Sequence, residues 1–254
     1  MAHISYSAMR DWDFCPYFHK LTRIDKVVES KGNEFTAFGK AIHKVGEGIL
    51  LGNIVPKNVT FLNSFDDEVK ELLGQPIDEK LIQEMKVQGL EIIEFMKPAL
   101  ENYFSTQYQT VGAEIEIRHP LDKYQDYDFY GFIDGVVETP DGMTHIFDWK
   151  SCSWGWQAKK KTDPIIGYQL ALYKHFYSES TGTDPEKIKT HFALLKRTAK
   201  KDRVEFFEVP VGKIKTKNAL KLLDTALYNI TNSRYIKKKT SCSNCQFSGT
   251  EYCK

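Results

Sequence analysis

The placement of the cysteines constrains this chain more than any other feature. Cys15 stands near the start, while Cys242, Cys245 and Cys253 fall in the last thirteen residues. If these four share one ligand set, the two ends of a 254-residue chain must meet in the fold. Cys242-x-x-Cys245 puts two thiolates on one tight turn, and Cys253 follows after seven intervening residues. Thiols spaced this way beside Ser241, Ser243, Asn244 and Gln246 would not build an apolar core. Four thiolates suit zinc or an iron–sulfur cluster, and these spacings do not separate the two. Cys152 reads as an ordinary buried residue outside the set.

The first fourteen residues include Arg10, Asp11 and Asp13 and hold no apolar signal-peptide core. No apolar run approaches the roughly 18 residues of a membrane span. A cytoplasmic protein is therefore expected, and a reducing cytosol favours metal-bound over disulfide-bonded thiols. Lys and Arg total 35 against 34 Asp and Glu. Near-neutrality does not exclude nucleic acid, because opposite charges can be segregated into a basic groove and an acidic metal site. With 41% hydrophobic residues the chain can bury a sizeable core, and no linker or repeat interrupts it. One domain over 1–254 is expected, with a helical part to about 105, a core over about 106–210, and a last helix with the cysteine tail over about 211–254.

Ser7 suggests an N-cap for a helix through Phe14, limited by Pro16. Phe38, Ile42, Val45 and Ile49 predict a helix over Phe35–Leu50. Leu81, Ile82, Met85, Ile92, Ile93, Met96 and Leu100 predict another over Asp78–Tyr103, kinked or ended by Pro98. Strands follow at Val111–Arg118, Asp128–Glu138 and Met143–Trp149, the last two joined by an Asp141-Gly142 turn. A helix over Pro164–Ser180, strands at Lys189–Lys196 and Arg203–Pro210, and a helix over Lys213–Asn232 complete the order. The pattern predicts an α/β fold, a mixed central sheet flanked by helices.

Asp134 and Asp148 fall on these two adjacent strands. Neighbouring strands lie about 4.8 Å apart, so both carboxylates could reach one cation. Oxygen ligands suit Mg²⁺ or Mn²⁺, and Mn²⁺ also accepts imidazole. Lys150 lies two residues beyond Asp148, and the pleat sends both side chains to one face. A lysine there could polarise a water or neutralise charge on a phosphate.

Asp134 followed by Asp148-Trp149-Lys150 resembles the PD-(D/E)XK nuclease superfamily, which implies a restriction-endonuclease-like core. Gly39-x-x-x-His43-x-x-x-Glu47 upstream, Glu114, Gly131-Phe132-Ile133-Asp134, and Gln169-Leu170-x-x-Tyr173 downstream resemble its RecB-like branch. That branch includes CRISPR-associated iron–sulfur exonucleases and AddB-type nuclease domains. The resemblance spans Ser7 to Cys253. It implies that His43, Asp134 and Asp148 ligate a metal with the backbone carbonyl of Trp149, and that Lys150 activates the nucleophilic water. Gln169 and Tyr173, at i and i+4 on a helix, would hold the lysine or a phosphate. It also implies a [4Fe–4S] cluster on Cys15, Cys242, Cys245 and Cys253, although the last spacing is longer than the family pattern.

Lys159–Lys161, the group Lys196, Arg197, Lys200, Lys201 and Arg203, and Lys237–Lys239 form three basic clusters suited to a DNA backbone. Trp149, Trp154, Trp156 and Tyr168 could stack on unpaired bases or pack in the core. The expected activity is hydrolysis of DNA from single-stranded ends, in recombination, end processing, CRISPR adaptation or phage DNA metabolism. A helicase or integrase-type partner fits this reading, since the chain has no phosphate-binding loop of a motor. The rivals are a catalytically silent DNA-binding subunit and a sequence- or structure-specific endonuclease.

Overall fold

Ser5, rather than Ser7, caps the first helix. In this computed structural model, which describes residues 2–27 and 32–254, the Ser5 hydroxyl accepts from the Ala8 N–H at 3.2 Å. Ser5 is extended there because it leaves a short strand, β1 (Ala2–Ile4), that the sequence pattern did not reveal. Ser7 instead shares a hydroxyl hydrogen bond with Ser5 at 2.8 Å. Helix α1 (Tyr6–Phe14) ends at Cys15, which is extended as the residue before Pro16 must tend to be. Pro16 then starts a new helix, α2 (Pro16–His19), because its missing N–H costs nothing in a first turn.

The chain forms two compact units. One comprises Met1–Ser30, Ile117–Gly131 and Gly212–Lys254; the other comprises Lys31–Glu116 and Phe132–Val211. Strands β2 (Gln109–Pro120) and β3 (Tyr127–Glu138) pair with each other, and each contributes residues to both units.

In the first unit β1 pairs in parallel with β3, Ile4 opposite Phe129. Helix α8 (Lys213–Thr231) buries Ala219, Leu223, Ala226, Leu227 and Ile230, and Tyr124 donates its hydroxyl to Asp224 on this helix at 2.9 Å. The C-terminal tail then returns to the N-terminal segment. Lys238 donates its backbone N–H to Cys15 Sγ at 3.3 Å and its ammonium to the Asp13 carbonyl at 2.7 Å. Tyr17 donates to the Tyr252 carbonyl at 3.3 Å, and Phe18 packs on buried Phe247. The ends of the chain therefore meet, the condition that a ligand set shared by these cysteines would impose.

The second unit carries α3 (Glu34–Leu50), α4 (Lys57–Lys70) and α5 (Glu79–Phe104). Asn33 and Thr36 close a capping box at the start of α3, and Asp78 caps α5. Pro98 leaves α5 unbroken for six further residues, since it and Glu94, whose carbonyl loses its partner, lie on the solvent side. β3 pairs antiparallel with β4 (Thr144–Cys152), β4 parallel with β5 (Ile188–Lys196), and β5 antiparallel with β6 (Val204–Glu208). The fold is α/β with a mixed sheet. Phe147, Trp149, Ala193 and Leu195 pack with Phe38, Ile42, Phe61, Phe65, Met85 and Met96 of the three helices in one buried cluster. The short α6 (Ala158–Lys161) and the long α7 (Pro164–Thr181), which buries Gln169, Leu170 and Tyr173, lie between β4 and β5 in the chain. Among the described residues no helix is long and apolar enough to cross a membrane.

Candidate active site

The register of β3 and β4 sets the acidic pair. The paired register runs to Gly135 opposite Phe147, which leaves Asp134 and Asp148 next in line on the two strands. In this pleat Phe147 and Trp149 enter the apolar cluster, while Asp148 and Lys150 take the opposite face. Lys150 Nζ is 2.6 Å from Asp148 Oδ2, so the two residues of the Asp-x-Lys motif form an ion pair. Helix α7 presents Gln169 and Tyr173 one turn apart. Gln169 Nε2 donates to Asp148 Oδ1 at 2.6 Å and to the Tyr173 hydroxyl at 3.4 Å.

Helix α3 brings in His43. Its Nδ1 lies 3.3 Å from Asp134 Oδ2, the same oxygen that accepts from the Trp149 backbone N–H at 2.7 Å. This approach depends on Gly46, one helical turn after His43. A Cβ at Gly46 would stand 2.6 Å from Trp149 Nε1, closer than side chains tolerate. The Gly39 of the motif is under less pressure, since its added Cβ would meet only Ser151 Oγ at 3.5 Å.

Glu114 completes the constellation. One ligand atom each from His43, Glu114 and Asp134 lies within 4.8 Å of the others. Glu114 sits inside β2 with φ of +48°, a left-handed conformation that a residue with a Cβ adopts at a cost of about 1–2 kcal/mol. Strain of this kind collects where a side chain must be aimed. The residue patterns contained Glu114 but could not show where it points. An acidic residue between Ala113 and Ile115, in the strand before that of Asp134, was the available signal.

The electrostatics follow from packing four charged groups away from water. Burial alone would lower the His43 imidazole, but the adjacent Asp134 carboxylate, helped by Asp148, outweighs it and raises the pKa. Burial likewise opposes ionisation of Asp134, yet His43, Lys150 and the Trp149 N–H together hold its pKa below the usual range. Asp148 is pushed up to about 6, by burial against the pull of Lys150, with Asp134 adding to the rise. Glu114 is raised to about 7, first by burial and then by Asp134. Burial also raises the Tyr173 phenol, with Asp148 adding to it. Three carboxylates and an imidazole, two of the acids poised near neutrality, form a site that a divalent cation would neutralise.

His43, Asp134, Asp148, Lys150, Gln169 and Tyr173 are thus gathered in one place. Asp148 stands apart from the His43–Glu114–Asp134 trio because its carboxylate is turned to Lys150 and Gln169. The cysteines are in the other unit, Cys15 buried, Cys245 and Cys253 half-buried and Cys242 exposed. Cys152 is half-buried in β4 and belongs to the second unit.

A sequence model of the PD-(D/E)XK nuclease superfamily matches residues 3–253. No curated protein sequence matches the chain significantly. Among solved structures, a "Putative exonuclease" from Eubacterium rectale superposes with a TM-score of 0.61 at 15% identity, over 96% of this chain and 86% of its own. That likeness shows a common fold. LHK-Exo, solved in complex with dAMP, is 12% identical over 78% of this chain and 93% of its own, with a TM-score of 0.31. With a match over nearly its whole length, the chain belongs to the PD-(D/E)XK nuclease superfamily.

Proposed function

We propose that this nuclease is a metal-dependent DNA exonuclease of the RecB-like branch, acting on single-stranded ends, with residues 1–254 serving as one nuclease domain. The observation that carries the reading is the convergence of His43, Glu114 and Asp134 beside the Asp148–Lys150 pair. Ligands about 2.1 Å from a cation lie at most about 4.2 Å apart across it. Side chains already within 4.8 Å of one another need little motion to close on Mg²⁺ or Mn²⁺. Bound there, the ion would polarise the phosphate and make a coordinated water more acidic. His43, Glu114, Asp134 and Asp148 would hold it, with the Trp149 carbonyl between Asp148 and Lys150.

Lys150 places its ammonium beside Asp148, where it can orient the attacking water and neutralise charge building on the phosphoryl oxygens. Gln169, steadied by Tyr173, would fix the Asp148 carboxylate and through it the paired Lys150 ammonium. Protons held near neutrality by Glu114 and Asp148 would leave as the cation enters.

Cys15, Cys242, Cys245 and Cys253 are assigned to a [4Fe–4S] cluster that staples the two ends, with zinc as the alternative. Either group binds four thiolates, and the segments that carry them meet, with the Lys238 N–H on Cys15 Sγ at 3.3 Å and Tyr17 on the Tyr252 carbonyl at 3.3 Å. A helicase or integrase-type partner, and a place in recombination, end processing, CRISPR adaptation or phage DNA metabolism, belong to the same reading.

End-labelled linear and closed circular single-stranded DNA, each with Mn²⁺, Mg²⁺ or chelator, provide the test. Metal-dependent shortening of the linear strand alone is expected. Cutting of the circle would make the protein an endonuclease. Binding without cleavage under any metal would make it a silent subunit.

A further inference from the structure

The four tryptophans have different surroundings, and one of them stands largely exposed. Trp149 is buried between Phe147 and Phe206. Trp12 is buried in α1, and Trp156 packs on Phe192 and Phe207 with the Lys160 ammonium 4.5 Å over its ring. Trp154 is 76% exposed. It is four residues past Lys150, so the extended chain allows at most about 14 Å between their Cα atoms.

This exposure is not slack in a loose loop. On one side the chain is pinned to the end of β5: Arg197 donates its N–H to the Cys152 carbonyl at 2.9 Å, and Thr198 donates to the Ser153 carbonyl at 2.8 Å. The Ser153 hydroxyl also accepts from the Arg197 guanidinium at 3.4 Å. On the other side Gly155 has φ of +130°, which only glycine adopts readily, and Trp156 is anchored on its two phenylalanines. Trp154 is held at the apex of a turn fixed at both feet, with its ring in water.

Lysines lie on the segments next to it. Lys159 follows in the chain, and Lys200 and Lys201 sit on the β5–β6 turn that Thr198 joins to Ser153. These three have no acidic partner among the described residues, whereas Lys161 and Lys196 share the Glu205 carboxylate. An exposed, rigidly mounted indole with unpaired lysines on the adjoining segments meets the two needs of an unpaired nucleotide, a π-face for the base and charge for its phosphates.

We propose that Trp154 is a stacking platform for an unpaired base of the strand being cut, and that it sets the preference for single-stranded over duplex ends. The inference rests on the nuclease reading above. In a duplex each base is already stacked between neighbours and paired. A splayed base on a single strand can instead lie flat on the indole, so the platform rewards only the unpaired strand. Trp154 would act in binding and positioning, without touching the reacting atoms.

Steady-state cleavage by wild type, Trp154→Ala and Trp154→Phe, on single-stranded and blunt duplex oligonucleotides with Mn²⁺, tests it. Trp154→Ala should raise KM for single strands by about 5- to 150-fold, the range of one base–aromatic stack, with little change in kcat. Duplex ends should be unaffected, and Trp154→Phe should recover most of the loss. Moving one abasic nucleotide along the strand should reveal a position that matters to wild type and not to Trp154→Ala. Unchanged KM in Trp154→Ala, or an abasic effect that survives the substitution, would overturn the proposal. So would a dimer that dissociates on substitution while KM stays constant. Quenching of tryptophan emission by oligo-dT, without cleavage, separates the two readings. Quenching lost in Trp154→Ala from a protein that never cuts would sink the nuclease assignment and keep the platform.

Discussion

Gly46→Ala should damage the site through a single methyl group. Its added Cβ would lie 2.6 Å from Trp149 Nε1, 3.0 Å from Cε2 and 3.2 Å from Met96 Cε. Met96 can give way, because a thioether tail is flexible. The indole cannot, since its ring is packed edge-on against Phe147 at 5.2 Å and Phe206 at 5.4 Å and is 1% exposed. Helix α3 must therefore shift outward and carry His43 away from Asp134. Overpacking of this kind costs about 1–3 kcal/mol. Replacing a mid-helix glycine by alanine returns about 1 kcal/mol of helix propensity, leaving a net loss of about 0–2 kcal/mol. Activity should fall further than stability, since a misplacement of about 1 Å can cost about 10²-fold in rate. Gly48→Ala is the control on the same helix. Its Cβ would meet only the Asn53 side chain, nearest at Nδ2 at an ordinary 3.4 Å, so the propensity gain of up to about 1 kcal/mol should appear undiminished. Urea denaturation and metal-dependent cleavage of both variants decide it. A Gly46→Ala protein at least as stable and as active as Gly48→Ala would refute the argument.

Three further predictions concern other parts of the molecule. Protein purified without oxygen should be brown with bound iron; Cys15→Ala should lose that iron and melt as low as Cys242→Ala, while Cys152→Ala should keep it, and loop closure at this length alone contributes a few kcal/mol. Zinc found in anaerobically purified protein would replace the cluster but keep the staple, and a Cys15→Ala protein with unchanged metal and melting would remove the staple itself. His191, depressed to about 3 by burial, His145 and Lys189, should make the fold acid-sensitive. The unfolded chain takes up this proton near 6.5 and the folded one resists it. The contribution is therefore full above about pH 6.5 and declines toward pH 3, a span of about 3–5 kcal/mol that His191→Gln should flatten in stability–pH curves. Because Glu114 is raised to about 7, protons should compete with the cation below that pH. Calorimetry should show Mn²⁺ affinity rising with pH between about 6 and 7.5 with proton release, and Glu114→Gln should weaken binding and flatten the dependence; equal slopes would exclude Glu114 as a ligand.

What could be read without coordinates was whatever is periodic or local. The long α5 and α7, the strands β3 to β6, and the parity that puts Asp148 and Lys150 on one face all follow from side-chain spacing. Helix α4 escaped because its buried face consists of Phe61 and Phe65 alone and it begins at Pro56 without a side-chain cap. Strand β1 escaped because three residues carry no period, and its partner lies more than a hundred residues away. Ser5 and Ser7 are equivalent as caps until β1 settles where the chain turns. The role of Glu114 depends on one left-handed dihedral, and the need for Gly46 depends on an indole from another element. Trp154 differs from Trp149 and Trp156 only in what surrounds it, which composition does not record.

The central claim, that the Asp134–Asp148–Lys150 centre cuts phosphodiesters with a divalent cation, meets its most direct test in Lys150→Ala. Single-turnover cleavage of end-labelled single-stranded DNA should be measured beside Mn²⁺ calorimetry on the same protein. The charge of Lys150 acts on the transition state, so cleavage should slow by about 10²-fold or more while Mn²⁺ and DNA still bind. Cleavage at the wild-type rate, with the metal bound as before, would contradict the account.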